Sequence, residues 1–86
     1  MGYYFYIIYS PSLDRYYIGH CRDMEERLRR HNQGNGASYT KKAKDWQSKY
    51  SKGFETRAEA AELERAIKRK KSRKYIEWLI SESQAG

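Results

Sequence analysis

The stretch Tyr16-Tyr17-Ile18-Gly19-His20-Cys21-Arg22-Asp23-Met24-Glu25-Glu26-Arg27-Leu28-Arg29-Arg30-His31 sets the reading of everything around it, because a strand carrying a tyrosine runs directly into a helix carrying two cationic groups. Asp23 stands where an N-cap belongs. Glu26 follows three residues later, a D-x-x-E variant of the capping box, and Glu25 and Glu26 put negative charge in the first turn. At about 100° per residue, Met24, Arg27, Leu28 and His31 fall on one stripe roughly 60° wide, while Arg29 and Arg30 point elsewhere. Arg27 and His31 therefore share the face whose apolar members turn inward. A solvated basic pair belongs on the opposite face. Taken alone, the pattern also fits an Arg reaching out from the edge of a core and a hydrogen-bonded structural His.

Composition narrows the setting. Eighteen Lys and Arg against eleven Asp and Glu give a net charge of +7 and a pI near 9.6, which points to a polyanionic partner, nucleic acid before membrane. A chain of 86 residues is one domain, and at this size only about 60–65% of the unfolded surface is buried, which argues against a large substrate cavity. With 38% apolar and 34% charged residues the chain has enough Tyr, Ile, Leu, Trp and Phe to fold around a core. No apolar run approaches the roughly 18 residues that span a bilayer, and the start lacks a secretory pattern, so no membrane partner and an intracellular, cytoplasmic location are expected. The single Cys21 excludes an internal disulfide and a C-x-x-C metal site, and fits a reducing compartment as a small half-buried hydrophobe.

Working outward from the opening stretch, Tyr3 to Tyr9 is aromatic and β-branched, and Ser10-Pro11-Ser12-Leu13-Asp14-Arg15 carries turn chemistry, so residues 3–20 form a β-hairpin. If even positions of the first strand pair with odd positions of the second, Tyr6 and Tyr17 project from one face; a slip of one residue separates them. Gly19 within a strand is costly unless something approaches the backbone closely, such as a helix or a phosphate. After the helix, Asn32 to Gly36 is a loop in which Gly34 or Asn32 supplies a left-handed cap. Tyr39 to Asp45 reads as a short basic helix or turn. Trp46, Ser48, Tyr50 and Phe54 share one parity, which suggests a third strand.

Thr56 and Glu59 open a long helix with a capping box, extending to Lys71. Ala60, Leu63, Glu64 and Ile67 form one stripe, which sets an acidic residue at the margin of the core face; an i,i+4 pair with Lys68 is the simpler account of Glu64. Lys68-Arg69-Lys70-Lys71-Ser72-Arg73-Lys74 packs six basic residues into seven. Such a run is either a solvated surface or a phosphate-binding rim that supplies affinity rather than chemistry. Ser72 caps a final helix in which Tyr75, Ile76, Leu79 and Ile80 cover the core with Trp78 at its edge. Residues 1–80 are read as the domain and 81–86 as a flexible tail.

Two aromatic-rich strands with Tyr6 and Tyr17 eleven positions apart, a helix with Arg27 and His31, and a later helix with an isolated Glu64 resemble the GIY-YIG nuclease family, in its small stand-alone bacterial form. Tyr17-Ile18-Gly19 matches the second signature literally. Tyr4-Phe5-Tyr6 sits where the first belongs and keeps only its final tyrosine. The resemblance implies an α/β (α+β) domain in the order β-β-α-(α)-β-α-α, with a small three-stranded antiparallel sheet flanked by helices. It also implies a single-metal phosphodiesterase acting on duplex or branched DNA, with Glu64 holding Mg²⁺ or Mn²⁺. On that reading Arg27 stabilises the phosphate charge through its planar fork. Tyr17 is the general base, Tyr6 orients the attacking water, and His31 relays a proton or hydrogen-bonds the phosphate. A free tyrosine is ionised only about one part in a thousand at neutral pH, so Arg27 and the metal have to favour the phenolate. His20 touches the phosphate, Ser38, Tyr39 and Thr40 line the DNA path or cap the short helix, and Lys41, Lys42, Lys68, Arg69, Lys70, Lys71 and Arg73 bind the backbone. Tyr9, Tyr16, Trp46 and Tyr50 are read as packing residues. A homodimer or a protein partner would supply targeting. The competing readings are a non-catalytic basic nucleic-acid-binding module of the same fold, its tyrosines serving as stacking platforms, and an adaptor for an acidic protein.

Overall fold

The aromatic run becomes β1 (Tyr3–Ser10), and a turn through Asp14 returns the chain as β2 (Arg15–Cys21). Asp14 takes a positive φ of 54° there, a conformation that aspartate tolerates better than most residues. The computed structural model describes residues 2–34 and 40–85. Helix α1 (Met24–Asn32) follows, then a short 3-10 turn at Thr40–Lys42, β3 (Gln47–Phe54), α2 (Arg57–Lys70) and α3 (Arg73–Ala85). The sheet has the order β2-β1-β3 with both pairings antiparallel. The most apolar strand is thus central, and β2, with its Tyr-Ile-Gly signature, is an edge.

The hairpin pairs Tyr6 with Gly19 and Ile8 with Tyr17, the even-to-odd register that sends both tyrosines to one face. That face packs Tyr6, Ile8, Cys21, Ala43 and Trp46 against Met24 and Leu28 of α1. The other packs Phe5, Ile7 and Ile18 against Ile67 of α2 and Ile80 of α3. Two thin cores on either side of one sheet serve a chain too short to build one thick core.

The alternation expected along the third strand is broken. Ile7 pairs with Tyr50 but Ile8 with Ser48, which leaves Lys49 as an extra residue. A bulge of this kind reverses which face the following side chains point to. Trp46 accordingly packs on the α1 side, whereas Tyr50 and Phe54 pack beneath α2 and α3. Period-two counting cannot see an inserted residue.

The caps follow the sequence. Asp23 accepts from Glu26 N at 3.1 Å, and Thr56 with Glu59 forms a full capping box. Gly34, at φ 82°, supplies the left-handed residue after α1. Asn32 stays helical, and its side chain holds both the N–H and the C=O of Trp46. Helix α2 stops one residue early, with Lys71 as its left-handed C-cap. Ser72 Oγ accepts from Tyr75 N at the start of α3. That helix runs to Ala85. Ser38 and Tyr39 lie outside the described residues.

Candidate active site

Gly19 explains how the site is built. A Cβ on it would lie 2.6 Å from Tyr6 Oη and 2.8 Å from Tyr6 Cζ, so what approaches the backbone here is a phenol from the neighbouring strand. The absence of a side chain lets Tyr6 lie across β2 toward α1. Tyr6 is 1% exposed and His31 2%, and Tyr6 Oη meets His31 Nε2 at 3.0 Å. His31 Nδ1 in turn lies 2.7 Å from Thr40 Oγ1. Both ring nitrogens of a buried imidazole are therefore engaged.

The protonation states follow from burial. Burial pushes the Tyr6 phenol well above its ordinary value, reinforced by the neighbouring Tyr17 and only partly countered by the Arg27 guanidinium set against it. Burial, with Arg27 and Arg30 nearby, lowers His31 to about 4. At neutral pH Tyr6 keeps its proton and His31 is uncharged. An uncharged imidazole donates from one ring nitrogen and accepts at the other, so Tyr6, His31 and Thr40 form one continuous hydrogen-bonded chain.

Tyr17 is half-buried above this chain. Its ring centroid lies 5.4 Å from that of His31 and 6.5 Å from that of Tyr6, and Lys68 Nζ stands 6.0 Å from the Tyr17 ring. Lys68 connects the two faces of the sheet. Its ammonium donates to Glu64 Oε2 at 2.7 Å, and the other carboxylate oxygen meets His20 Nδ1 at 2.6 Å. Burial would raise the Glu64 carboxyl, but the hydrogen bonds from Lys68 and His20 outweigh it and hold the group below the usual carboxylate range. Arg27 and His20 line one depression of about 210 Å³.

The structure thus gathers Tyr6, Tyr17, Arg27 and His31 on the α1 side of the edge strand. It sets Glu64 on the α2 side, within reach around that edge through Lys68. The i,i+4 pair with Lys68 is present as well. Sequence reasoning missed the His20–Glu64 contact, although parity held a clue: His20 shares a face with Ile18, which packs on α2. No spacing rule pointed to Thr40 as the partner of His31. Of the expected phosphate-binding residues, Lys41, Lys42, Arg69, Lys70 and Lys71 are exposed, and Lys70 Nζ also stands 4.6 Å from the Tyr75 ring. Arg73 is tied to Asp14 and Glu77.

A divalent metal would have Glu64 as its carboxylate. Among the described residues no group of three His, Cys, Asp or Glu side chains converges. The donor set nevertheless fits a hard cation such as Mg²⁺, which takes one or two carboxylates and fills its shell with water and substrate phosphate. Lys68, half-exposed, would have to leave Oε2.

Comparison with known proteins places these features in a family context. The GIY-YIG catalytic domain family model matches residues 2–76. A UPF0213 protein of Streptococcus pneumoniae serotype 4 is 44% identical over 69 residues, covering 80% of this chain and 69% of the relative. UPF0213 protein RBAM_000440 of Bacillus velezensis is 35% identical over 79 residues, covering 88% and 79%. UPF0213 protein YazA of Bacillus subtilis is 32% identical over 79 residues with the same two coverages. No solved structure gives a significant match.

Proposed function

The chain belongs to the GIY-YIG family of nuclease catalytic domains, and from that premise we propose that it is an endonuclease that hydrolyses DNA phosphodiester bonds with one divalent metal ion, Mg²⁺ or Mn²⁺. The observation that carries the reading is the placement of Tyr17. It is half-buried at an edge strand, in edge-to-face contact with His31 of the buried Tyr6–His31–Thr40 chain and reached by the ammonium that also binds Glu64.

Hydrolysis needs a base for water, a counter-charge for the five-coordinate phosphate and a proton for the leaving oxygen. Tyr17 is the base: its phenolate takes a proton from water as the water oxygen attacks phosphorus, the P–O bond to the leaving oxygen breaks, and the leaving oxygen takes its proton from solvent water. Tyr6, closed off from solvent and protonated, is a positioning residue held by His31. That narrows His31 to an orienting role, since an uncharged imidazole with both nitrogens occupied neither carries a proton outward nor meets a phosphate. Arg27 faces the phosphate charge. When bound at Glu64, the metal would supply a Lewis acid for a phosphoryl oxygen. Lys68, Lys71, Arg69 and the lysines of the 3-10 turn add affinity for the DNA backbone.

The test uses plasmid and branched DNA with Mg²⁺ or Mn²⁺. Nicking is expected, with a loss of about 10²- to 10⁴-fold in Tyr17→Phe, the range typical of removing a general base. Glu64→Gln or a chelator should lower nicking to background while DNA binding persists. Unchanged cleavage in both variants overturns the mechanism. Binding without any cleavage favours the non-catalytic module.

A further inference from the structure

On the α2 side of the edge strand, a groove of about 450 Å³ runs from Tyr17 to the junction of α2 and α3. Its volume lies in the range of about 300–1,000 Å³ that holds small ligands. Ile67 and Ile76 give it an apolar floor, and Arg15, Lys68 and Lys71 stand along it. Arg15 and Lys71 form no ion pair with a described residue. An apolar floor under unpaired cations suits a ligand that is both flat and anionic.

Arg73, on the wall of the groove, adds the specific feature. Its Nε donates to Glu77 Oε2 at 3.0 Å, Nη1 to the Asp14 carbonyl at 2.9 Å and Nη2 to Asp14 Oδ1 at 2.6 Å. Three in-plane bonds fix the guanidinium as a plate and satisfy its charge, which makes it a poor phosphate fork. The guanidinium carbon stands over the Tyr16 ring, 5.1 Å from the centroid, and both residues line the groove. Guanidinium planes and aromatic rings are among the surfaces on which unstacked bases are held.

We infer that this groove is a subsite for one unpaired nucleotide next to the phosphate under attack, its base stacked on Arg73 and its phosphate drawn to Arg15 and Lys71. The inference rests on the nuclease reading for its ligand class and adds a preference that reading lacks. Tyr17 and Lys68 belong both to the groove and to the candidate active site, so the nucleotide held here is a neighbour of the one being cut. A base within a duplex is stacked on both sides and cannot enter. Flaps, overhangs and single strands can.

The experiment uses the full chain in chelator, so that no turnover occurs, with a DNA hairpin bearing a short overhang whose first unpaired base is 2-aminopurine, made in both polarities. The protein should quench the probe, because stacking darkens it, and should bind one overhang hairpin about tenfold more tightly than the blunt hairpin, in line with the stacking of one base. Arg73→Lys keeps the charge and loses the plate, so quenching should vanish and the two hairpins should bind alike. Lys71→Gly suits a left-handed position and should fold; its overhang affinity should fall several-fold, its salt slope should drop by about one, and quenching should persist at saturation. No quenching by the wild type, equal binding of both hairpins by the wild type, or full quenching by a folded Arg73→Lys would overturn the inference. If Arg73→Lys does not fold, unchanged affinity and salt slope in Lys71→Gly overturn it. Quenching without metal-dependent nicking sinks the nuclease reading alone, and nicking without quenching sinks the subsite alone.

Discussion

Gly19 and His31 each act through Tyr6. A methyl group on Gly19 would sit 2.6 Å from Tyr6 Oη, and the ring cannot swing aside without breaking its bond to His31. Gly19→Ala should therefore destabilise the fold by about 1–3 kcal/mol, the usual cost of overpacking. Urea unfolding measures it, and an unchanged midpoint would mean that the ring has room to move. His31, lowered to about 4, gives a pH signature. Its folded-state value lies below the ordinary 6.5 of the unfolded chain, so the unfolded state takes up the proton first. The contribution of His31 is fully present above about pH 6.5 and is lost as pH falls through about 4, roughly 3 kcal/mol in all. Urea midpoints across that window should fall toward acid with a slope approaching one proton per molecule, and His31→Gln should lack that component. Glu64, held below its ordinary range, acts further down: its share is present above the usual carboxylate value and disappears as pH drops through the lowered one.

At the scale of elements, the ends carry much of the organisation. Lys71 ends α2 at φ 46°, a left-handed position that costs a residue with a Cβ about 1 kcal/mol relative to glycine. Lys71→Gly should raise the unfolding free energy by somewhat less, because glycine also loosens the unfolded chain. A drop in thermal midpoint would contradict this. The helix caps were legible from the sequence because an N-cap is a local contract between a side chain and an amide three residues on, as at Asp23 and Thr56. The bulge at Lys49 was not. It depends on how β3 has to shift to pack Trp46 on one face and Tyr50 on the other, and a strand's own sequence does not record its neighbour's register.

For the molecule as a whole, a net charge of +7 makes nucleic-acid affinity strongly dependent on salt. If three or four phosphates are neutralised, binding of non-specific duplex should weaken about 40- to 150-fold between 50 and 200 mM salt, following a slope of about −0.9 per phosphate. Fluorescence anisotropy at graded salt reads this directly, and a flat dependence would favour an acidic protein as the partner. The arrangement behind it is a sheet used on both faces. The phenols, Arg27 and His31 lie on the α1 side and the carboxylate on the α2 side, with the edge strand between them. A site spread over both faces of a three-stranded sheet can come together only at an edge, where side chains reach around the strand. The order β2-β1-β3 leaves the signature strand there.

The sequence by itself determined the elements, their helix N-caps, the inward stripe of Arg27 and His31, and the family, because each depends on residues close in the chain; it left the shared face of Tyr6 and Tyr17 to the hairpin register, which the structure supplies. Tertiary structure alone decided that His20 and Lys68 hold Glu64, that Thr40 completes the His31 chain, and that Arg73 serves Asp14 and Glu77. Contacts between distant segments depend on the angle at which helices cross the sheet. That angle is set by the packing of both thin cores at once, and no periodicity within either partner encodes it.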